Sequence, residues 1–268
     1  MPTTLSRSLF VALALALSTP DASAQTTPFE PTEGQAGKDV VWVPTPHELV
    51  EKMLDMAKVT PQDVVMDLGS GDGRNVIAAA RRGARAIGVE YNPEMVALSR
   101  RLAEEAGVSE RATFIEADMF EADISKATVL ALFLLPTNLD KLMPKFLALK
   151  PGTRIVNNTF GMGGWKPDET EKIEGTCAQW CTALLNIVPA QVAGTWRVGT
   201  NDLTLTQEFQ MVTGTLGSTA IAEGRLHGDQ ITFKVDATEH TGSVSGDRIE
   251  GTATTAGGRE SWTATRRP

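Results

Sequence analysis

Between Val64 and Val156 short apolar runs alternate with amphipathic stretches, and this alternation restricts the fold more than any other feature of the chain. The runs are VVMDL (64–68), RAIGVE (85–90), ATFIEA (112–117), TVLALFLL (128–135) and RIVNNT (154–159). Between them lie NVIAAARRG, PEMVALSRRLAEEAG and LDKLMPKFLAL, with apolar positions at helical spacing. Strands that are apolar throughout, separated by such helices, predict a parallel sheet covered on both faces. Ligands of these sheets sit outside the carboxyl ends of the strands, so chemistry is sought there. An additional helix, HELVEKMLDMA, starts after Pro46 and brings Leu49, Val50, Met53, Leu54 and Ala57 to one face.

The pattern changes near Pro189. Residues 193–268 show no helical period; GTWRVG, LTLTQEFQMV, TAIAEGRL, QITFKVD, HTGSV, RIEGTATT and ESWTATR read as about seven antiparallel strands. GRLHGDQI (224–231) and GSVSGDRI (242–249) match in step, each Gly-Asp reading as a hairpin turn. A small barrel or sandwich is the expected result of this pattern.

At the other end, Arg7, the apolar run Leu9 to Leu17 and Ala22-Ser23-Ala24 have the order of a secretory signal, with cleavage predicted after Ala24. The run is too short to span a bilayer as a stable helix. The chain is therefore expected to be exported and periplasmic, the alternative being a tether formed by an uncleaved segment. Residues 25–40 (QTTPFEPTEGQAGKDV) are polar and rich in Pro, Gly and Thr, which predicts a flexible lead-in. A net charge of −8 without a basic run argues against nucleic acid as a partner and against strong membrane association once the signal is removed. The sequence leaves the oligomeric state open.

Only two cysteines occur, Cys177 and Cys181. In an extended strand their Cα atoms would lie roughly 13 Å apart, whereas a turn or helix brings them within the about 6.5 Å that a disulfide tolerates; the spacing alone leaves bridged and free states open. No metal site is expected from this pair.

The chemistry is concentrated in DLGSGDGR (67–74). Gly69, Gly71 and Gly73, with Ser70 between them, form a turn from strand to helix whose missing side chains let backbone approach a ligand. Seventeen residues past Gly73, Glu90 ends the second strand, where a carboxylate accepts from the vicinal hydroxyls of a ribose. Asp118, after the third strand, is placed to accept from an exocyclic adenine amino group, and Tyr91 to lie against the ring or pack at the sheet edge. Asp67 either orients the turn or receives the ammonium of an amino-acid moiety. Three acids without a phosphate-binding cation suit S-adenosylmethionine. Asp72 and Arg74 read as helix caps.

With VVMDLGSGDGR, GVEYNPE, EADMF and LALKPGTRIV in this order, residues 41–190 resemble the class I (Rossmann-like) S-adenosylmethionine-dependent methyltransferases. The resemblance implies an α/β domain with a mostly parallel seven-stranded sheet whose last strand is antiparallel, here followed by the β-rich segment 193–268. It also implies that EKIEG and TALLNIVPA form a hairpin joined by TCAQWC, which places the cysteines near a turn. DLGSGDGRNVIAAARRG, GVEYNP and LFLLPTNLDKLMPKF look most like the small protein-lysine methyltransferases that include the ATP synthase c-subunit enzyme. That resemblance implies transfer of a methyl group to an amine of a methyl-acceptor protein or small molecule, a protein lysine first among them. A small-molecule N- or O-methyltransferase, or an envelope module that binds the cofactor without catalysis, are the alternatives. The acceptor is expected beyond the fourth strand, at Pro136, Thr137 and Asn138. His47 reads as a surface residue, and Trp42 and Trp165 as core or as rim of the acceptor pocket.

Overall fold

The computed structural model describes residues 29–175 and 177–267, together with Met1. The predicted export signal over 1–24, apart from Met1, and the start of the lead-in lie outside the described residues. Helix α1 (His47–Met56) precedes β1 (Val64–Leu68), α2 (Arg74–Arg81), β2 (Arg85–Glu90), α3 (Pro93–Glu105), β3 (Ala112–Glu116), β4 (Val129–Leu132), α4 (Pro136–Leu147), β5 (Arg154–Asn158), β6 (Glu169–Lys172) and β7 (Thr182–Ile187). These strands form one sheet in the order β3-β2-β1-β4-β5-β7-β6. β1 to β5 are mutually parallel, and β7 runs antiparallel to both β5 and β6, as the resemblance implies.

The apolar strands supply both faces. Val65, Val129 and Ala131 pack with residues of α1, α2 and α3, while Met66, Leu68, Leu130 and Leu132 pack with α4. Alternate residues of one strand therefore serve opposite layers, which is why these runs read as continuously apolar. Asn92 caps α3 by accepting from the backbone N–H of Glu94, with Pro93 in the first turn.

After residue 193 come β8 (Gly194–Val198), β9 (Asn201–Glu208), β10 (Met211–Leu216), β11 (Thr219–His227), β12 (Gln230–Val235), β13 (Thr238–Ser245), β14 (Arg248–Thr255) and β15 (Gly258–Arg266). They close into a barrel of eight strands. The sequence predicts about seven because LTLTQEFQMV reads as a single strand. It is a hairpin, β9 to β10, that turns through Phe209 and Gln210, with Phe209 at φ 51° and no glycine to mark the reversal. Gly228 and Gly246, both at positive φ, make the two Gly-Asp turns. Trp196, Phe233, Trp262 and His240 fill the barrel, the His240 ring stacked on Phe233 at 4.7 Å between centroids.

The barrel lies against the sheet domain. Phe209 stacks on Trp165 with 5.7 Å between ring centroids, Gln210 Nε2 donates to the Lys166 carbonyl, and Arg225 pairs with the buried carboxylate of Asp168 at 2.7 Å. No helix among the described residues is long and apolar enough to cross a membrane.

Candidate functional site

The carboxyl edge of the sheet opens into a cavity. β1 ends in Asp67 and Leu68, and the backbone then reverses through three glycines at positive φ: Gly69 (72°), Gly71 (55°) and Gly73 (81°). The Gly69 and Ser70 N–H groups both donate to the Val89 carbonyl, tying the turn to β2. Gly73 caps α2, and a methyl group added there would come within 2.6 Å of the Phe114 ring. Ser70 is buried over Gly88, where a Cβ would meet its Oγ at 2.6 Å; that Oγ has no hydrogen-bond partner.

Glu90 organises the second wall. Its Oε2 accepts from the Gly71 N–H and its Oε1 from the Asn92 N–H, both at 2.9 Å, so the carboxylate is fixed over the glycine turn. Asp67 is 3% exposed, and Asn75 Nδ2 donates to it at 3.1 Å while also reaching the Ala131 carbonyl. Burial drives its pKa well above the ordinary carboxylate range; Asn75 opposes the shift, and the nearby charges of Glu90 and Asp72 add to it. Asp118 accepts from the Phe120 N–H and from Lys38, whose ammonium also lies 4.8 Å from the Tyr91 ring centroid. The Lys38 hydrogen bond, followed by that of Phe120, holds the Asp118 carboxyl below its usual pKa.

All of these residues except Gly73 line one cavity: Asp67, Gly69, Ser70, Gly71, Glu90, Tyr91 and Asp118. Pro136, Thr137 and Asn138 do not line it. They form the first turn of α4, where Pro136 and Thr137 are exposed and the buried Asn138 amide donates to the Asp39 carbonyl at 3.4 Å. Phe133, just past β4, takes the wall position expected for them. Asp72 and Arg74 form an ion pair, and Arg74 also donates to the Thr45 carbonyl. His47 is exposed at the start of α1. Trp165 is core, whereas the Trp42 indole lies on Gly71.

Three contributors carry no sequence signal. Asn75 reads as an ordinary helix residue. Ser99 donates to the Gly71 carbonyl from α3. The third is the lead-in: residues 35–40 line the cavity, folded back by hydrogen bonds between Gly34 and Trp42 and between Trp42 and Gln35. Its polar composition predicts little to bury, and its contacts are indeed polar.

Across the edge, the acids follow the strand order: Asp118 after β3, Glu90 on β2, Asp67 on β1. Carboxylates bind hydroxyl, amino and ammonium groups, and the glycine turn admits a ligand against backbone. The orphaned Ser70 hydroxyl leaves one further polar contact available. This donor and acceptor set fits S-adenosylmethionine, and with the sheet order it defines a class I S-adenosylmethionine-dependent methyltransferase.

Comparison with known proteins specifies the family. The ANTKMT methyltransferase domain matches residues 67–169. A protein-lysine N-methyltransferase of Saccharolobus islandicus is 45% identical over 138 residues, covering 50% of this chain and 86% of that protein. The mouse lysine N-methyltransferase of the ATP synthase c-subunit is 36% identical over 140 residues, 52% of this chain and 56% of its own length. Among solved structures, an RNA methyltransferase of Salinibacter ruber in complex with S-adenosyl-L-homocysteine is 47% identical with a TM-score of 0.53, covering 56% of this chain and 96% of that one. The chain belongs to the protein-lysine N-methyltransferase family, and it is an enzyme that uses S-adenosylmethionine. Among the described residues no group of His, Cys, Asp and Glu could hold a metal ion.

Proposed function

We propose that the enzyme transfers the methyl group to the ε-amine of a protein lysine, with Asp67, Gly69, Ser70, Gly71, Gly73, Glu90, Tyr91 and Asp118 holding the cofactor. The observation that carries the lysine reading is the likeness to the Saccharolobus islandicus protein-lysine N-methyltransferase over most of that protein's length. The RNA named for the Salinibacter ruber relative is a poorer acceptor here, because a net charge of −8 repels a phosphate backbone.

S-adenosylmethionine supplies an electrophilic sulfonium methyl group. The chain's own residues bind and align. Glu90, preset by two backbone N–H groups, would accept from the ribose hydroxyls; Asp118 would take the adenine amino group in exchange for Lys38, and Asp67 the amino-acid ammonium. With that cofactor bound, a neutral lysine Nε would form the new N–C bond in line with the breaking S–C bond, whose electron pair would leave with sulfur as a neutral thioether. The resulting ammonium loses its proton to water: among the described residues no histidine lines the cavity, Asp67, Glu90 and Asp118 are committed to the cofactor, and Asp72 and Asp39 are paired with Arg74 and Lys38. Catalysis is positioning with water kept out, and Pro136, Thr137 and Asn138 stand beside the acceptor's approach as the start of α4.

Transfer of labelled methyl from S-adenosylmethionine to a lysine-rich protein, compared with the same protein after lysine acetylation, tests the acceptor. Label on the acetylated protein equal to that on the native one would rule lysine out. Export is part of the proposal, supported by the N-terminal signal pattern and by the Cys177–Cys181 disulfide, which persists in oxidising compartments. Cell fractionation with an antibody to the barrel tests it, recovery in the cytoplasm alone being the contrary result.

A further inference from the structure

Along the carboxyl edge the cavity wall runs from Asp118 past Glu90 and Asp67 to Phe133, and beyond Phe133 the same edge carries two more aromatic rings. Phe160 follows β5 by two residues, and Trp180 precedes β7 by two. β4, β5 and β7 are neighbours in the sheet. Because β7 is antiparallel to β5, its first residues lie at the carboxyl end of β5, where the Thr159 N–H donates to the Thr182 carbonyl. The three rings meet: Phe133 to Phe160 at 6.1 Å and 18°, Phe133 to Trp180 at 5.9 Å, Phe160 to Trp180 at 5.2 Å between centroids. Each is partly exposed, so their faces form an open apolar surface continuous with the cofactor cavity on the side away from Asp118.

Trp180 is delivered there by the disulfide. Cys177 and Cys181 close a five-residue loop within the β6–β7 connection, and the buried Cys181 anchors it on the core under α1. Trp180 has φ 58°, a conformation that a bulky residue adopts only when its surroundings impose it.

We infer that Phe133, Phe160 and Trp180 form the acceptor subsite, a slot that takes the four-carbon stem of the lysine and presents its nitrogen to the methyl end of the cofactor. This rests on the reading of lysine as the acceptor. Aromatic faces bury the methylene stem and attract an ammonium or methylated ammonium through the ring quadrupole, without a carboxylate that would hold the amine protonated. Trp180 and Phe160 set specificity for a long unbranched amine; of the three rings Phe133 alone lines the cofactor cavity.

The test uses the full chain, disulfide intact, saturated with S-adenosylhomocysteine and titrated with Nα-acetyl-Nε-trimethyl-lysine amide while the tryptophan indole signals are followed by NMR. The Trp180 signal shifts on titration, and Trp180→Ala and Phe160→Ala each weaken the probe about tenfold, with Trp180→Phe retaining most of the affinity. S-adenosylmethionine affinity stays within about twofold in all three, because neither residue lines its cavity. Replacing both cysteines by serine weakens the probe in the same direction. Unchanged probe affinity in Trp180→Ala and Phe160→Ala, or no shift at Trp180, overturns the subsite. Turnover on an acetylated Gly-Lys-Gly amide separates the two claims. A raised KM with little change in kcat in the variants supports the subsite. An unchanged KM refutes it and leaves lysine methylation standing. Probe binding at Trp180 without methylation of any lysine substrate refutes the acceptor reading and leaves the slot standing.

Discussion

Asp67 is the side chain on which burial acts most strongly, and its pH behaviour is set by that burial. Its folded pKa is raised, so above the unfolded carboxylate value of about 3.9 the folded chain keeps a proton that the unfolded chain has lost. The stability associated with this group is complete below that value and is lost as pH rises through the folded pKa. Asp67→Asn removes the titration, so thermal melts should show the variant gaining on the native enzyme as pH rises toward 8; parallel melting curves would contradict this. With Asp67 taking the cofactor's ammonium as proposed, its ionised form is favoured, so binding should release protons. Calorimetry in buffers of different ionisation enthalpy measures that release. For Glu90, each charge-assisted hydrogen bond to a ribose hydroxyl contributes about 1.5–3 kcal/mol, so Glu90→Ala should weaken S-adenosylmethionine by at least about a hundredfold by calorimetry. A change within twofold would remove Glu90 from the site.

Elements make the site rigid. Gly73 combines a left-handed backbone with a 2.6 Å approach to Phe114, so Gly73→Ala strains the turn and overpacks the α2–β3 contact. Urea denaturation should show a loss of about 1–3 kcal/mol, against less than about 0.5 kcal/mol for an exposed site such as Thr137→Ala. The elements legible in the sequence are those whose period is set by burial, namely the strands from Val64 to Asn158 and helices α1 to α4. Elements fixed by long-range contact were hidden. The lead-in has no period, yet Gly34, Gln35 and Trp42 pair and Lys38 reaches Asp118 across 80 positions of chain. Phe209 turns a hairpin without glycine because its ring is held against Trp165. Pro136, Thr137 and Asn138 read as a loop after β4, but Pro136 stands in the first turn and starts α4 at once, and the cavity is lined there by Phe133.

At the scale of the molecule, two units meet through Phe209, Gln210 and Arg225, yet every residue lining the cavity lies between Gln35 and Phe133. A chain ending at Ala193 should therefore bind S-adenosylmethionine within about threefold of the native affinity while melting at lower temperature, because Trp165 loses the Phe209 ring stacked on it. Loss of binding in a truncated chain that still folds would show that the barrel shapes the site. The row of acids was legible because each ends a strand recognisable from its own sequence. The aromatic row was not, since Phe133, Phe160 and Trp180 are 20 to 47 positions apart and meet only when β7 returns beside β5. The central claim, a methyltransferase acting on protein lysine, is tested most directly by tandem mass spectrometry of proteins from cells with the enzyme and from cells carrying Glu90→Ala. Methyl groups on the ε-amine of a defined lysine, present in the first and missing from the second, are the predicted result; identical lysine methylation in both, with a methyl group missing from another class of acceptor, would contradict it.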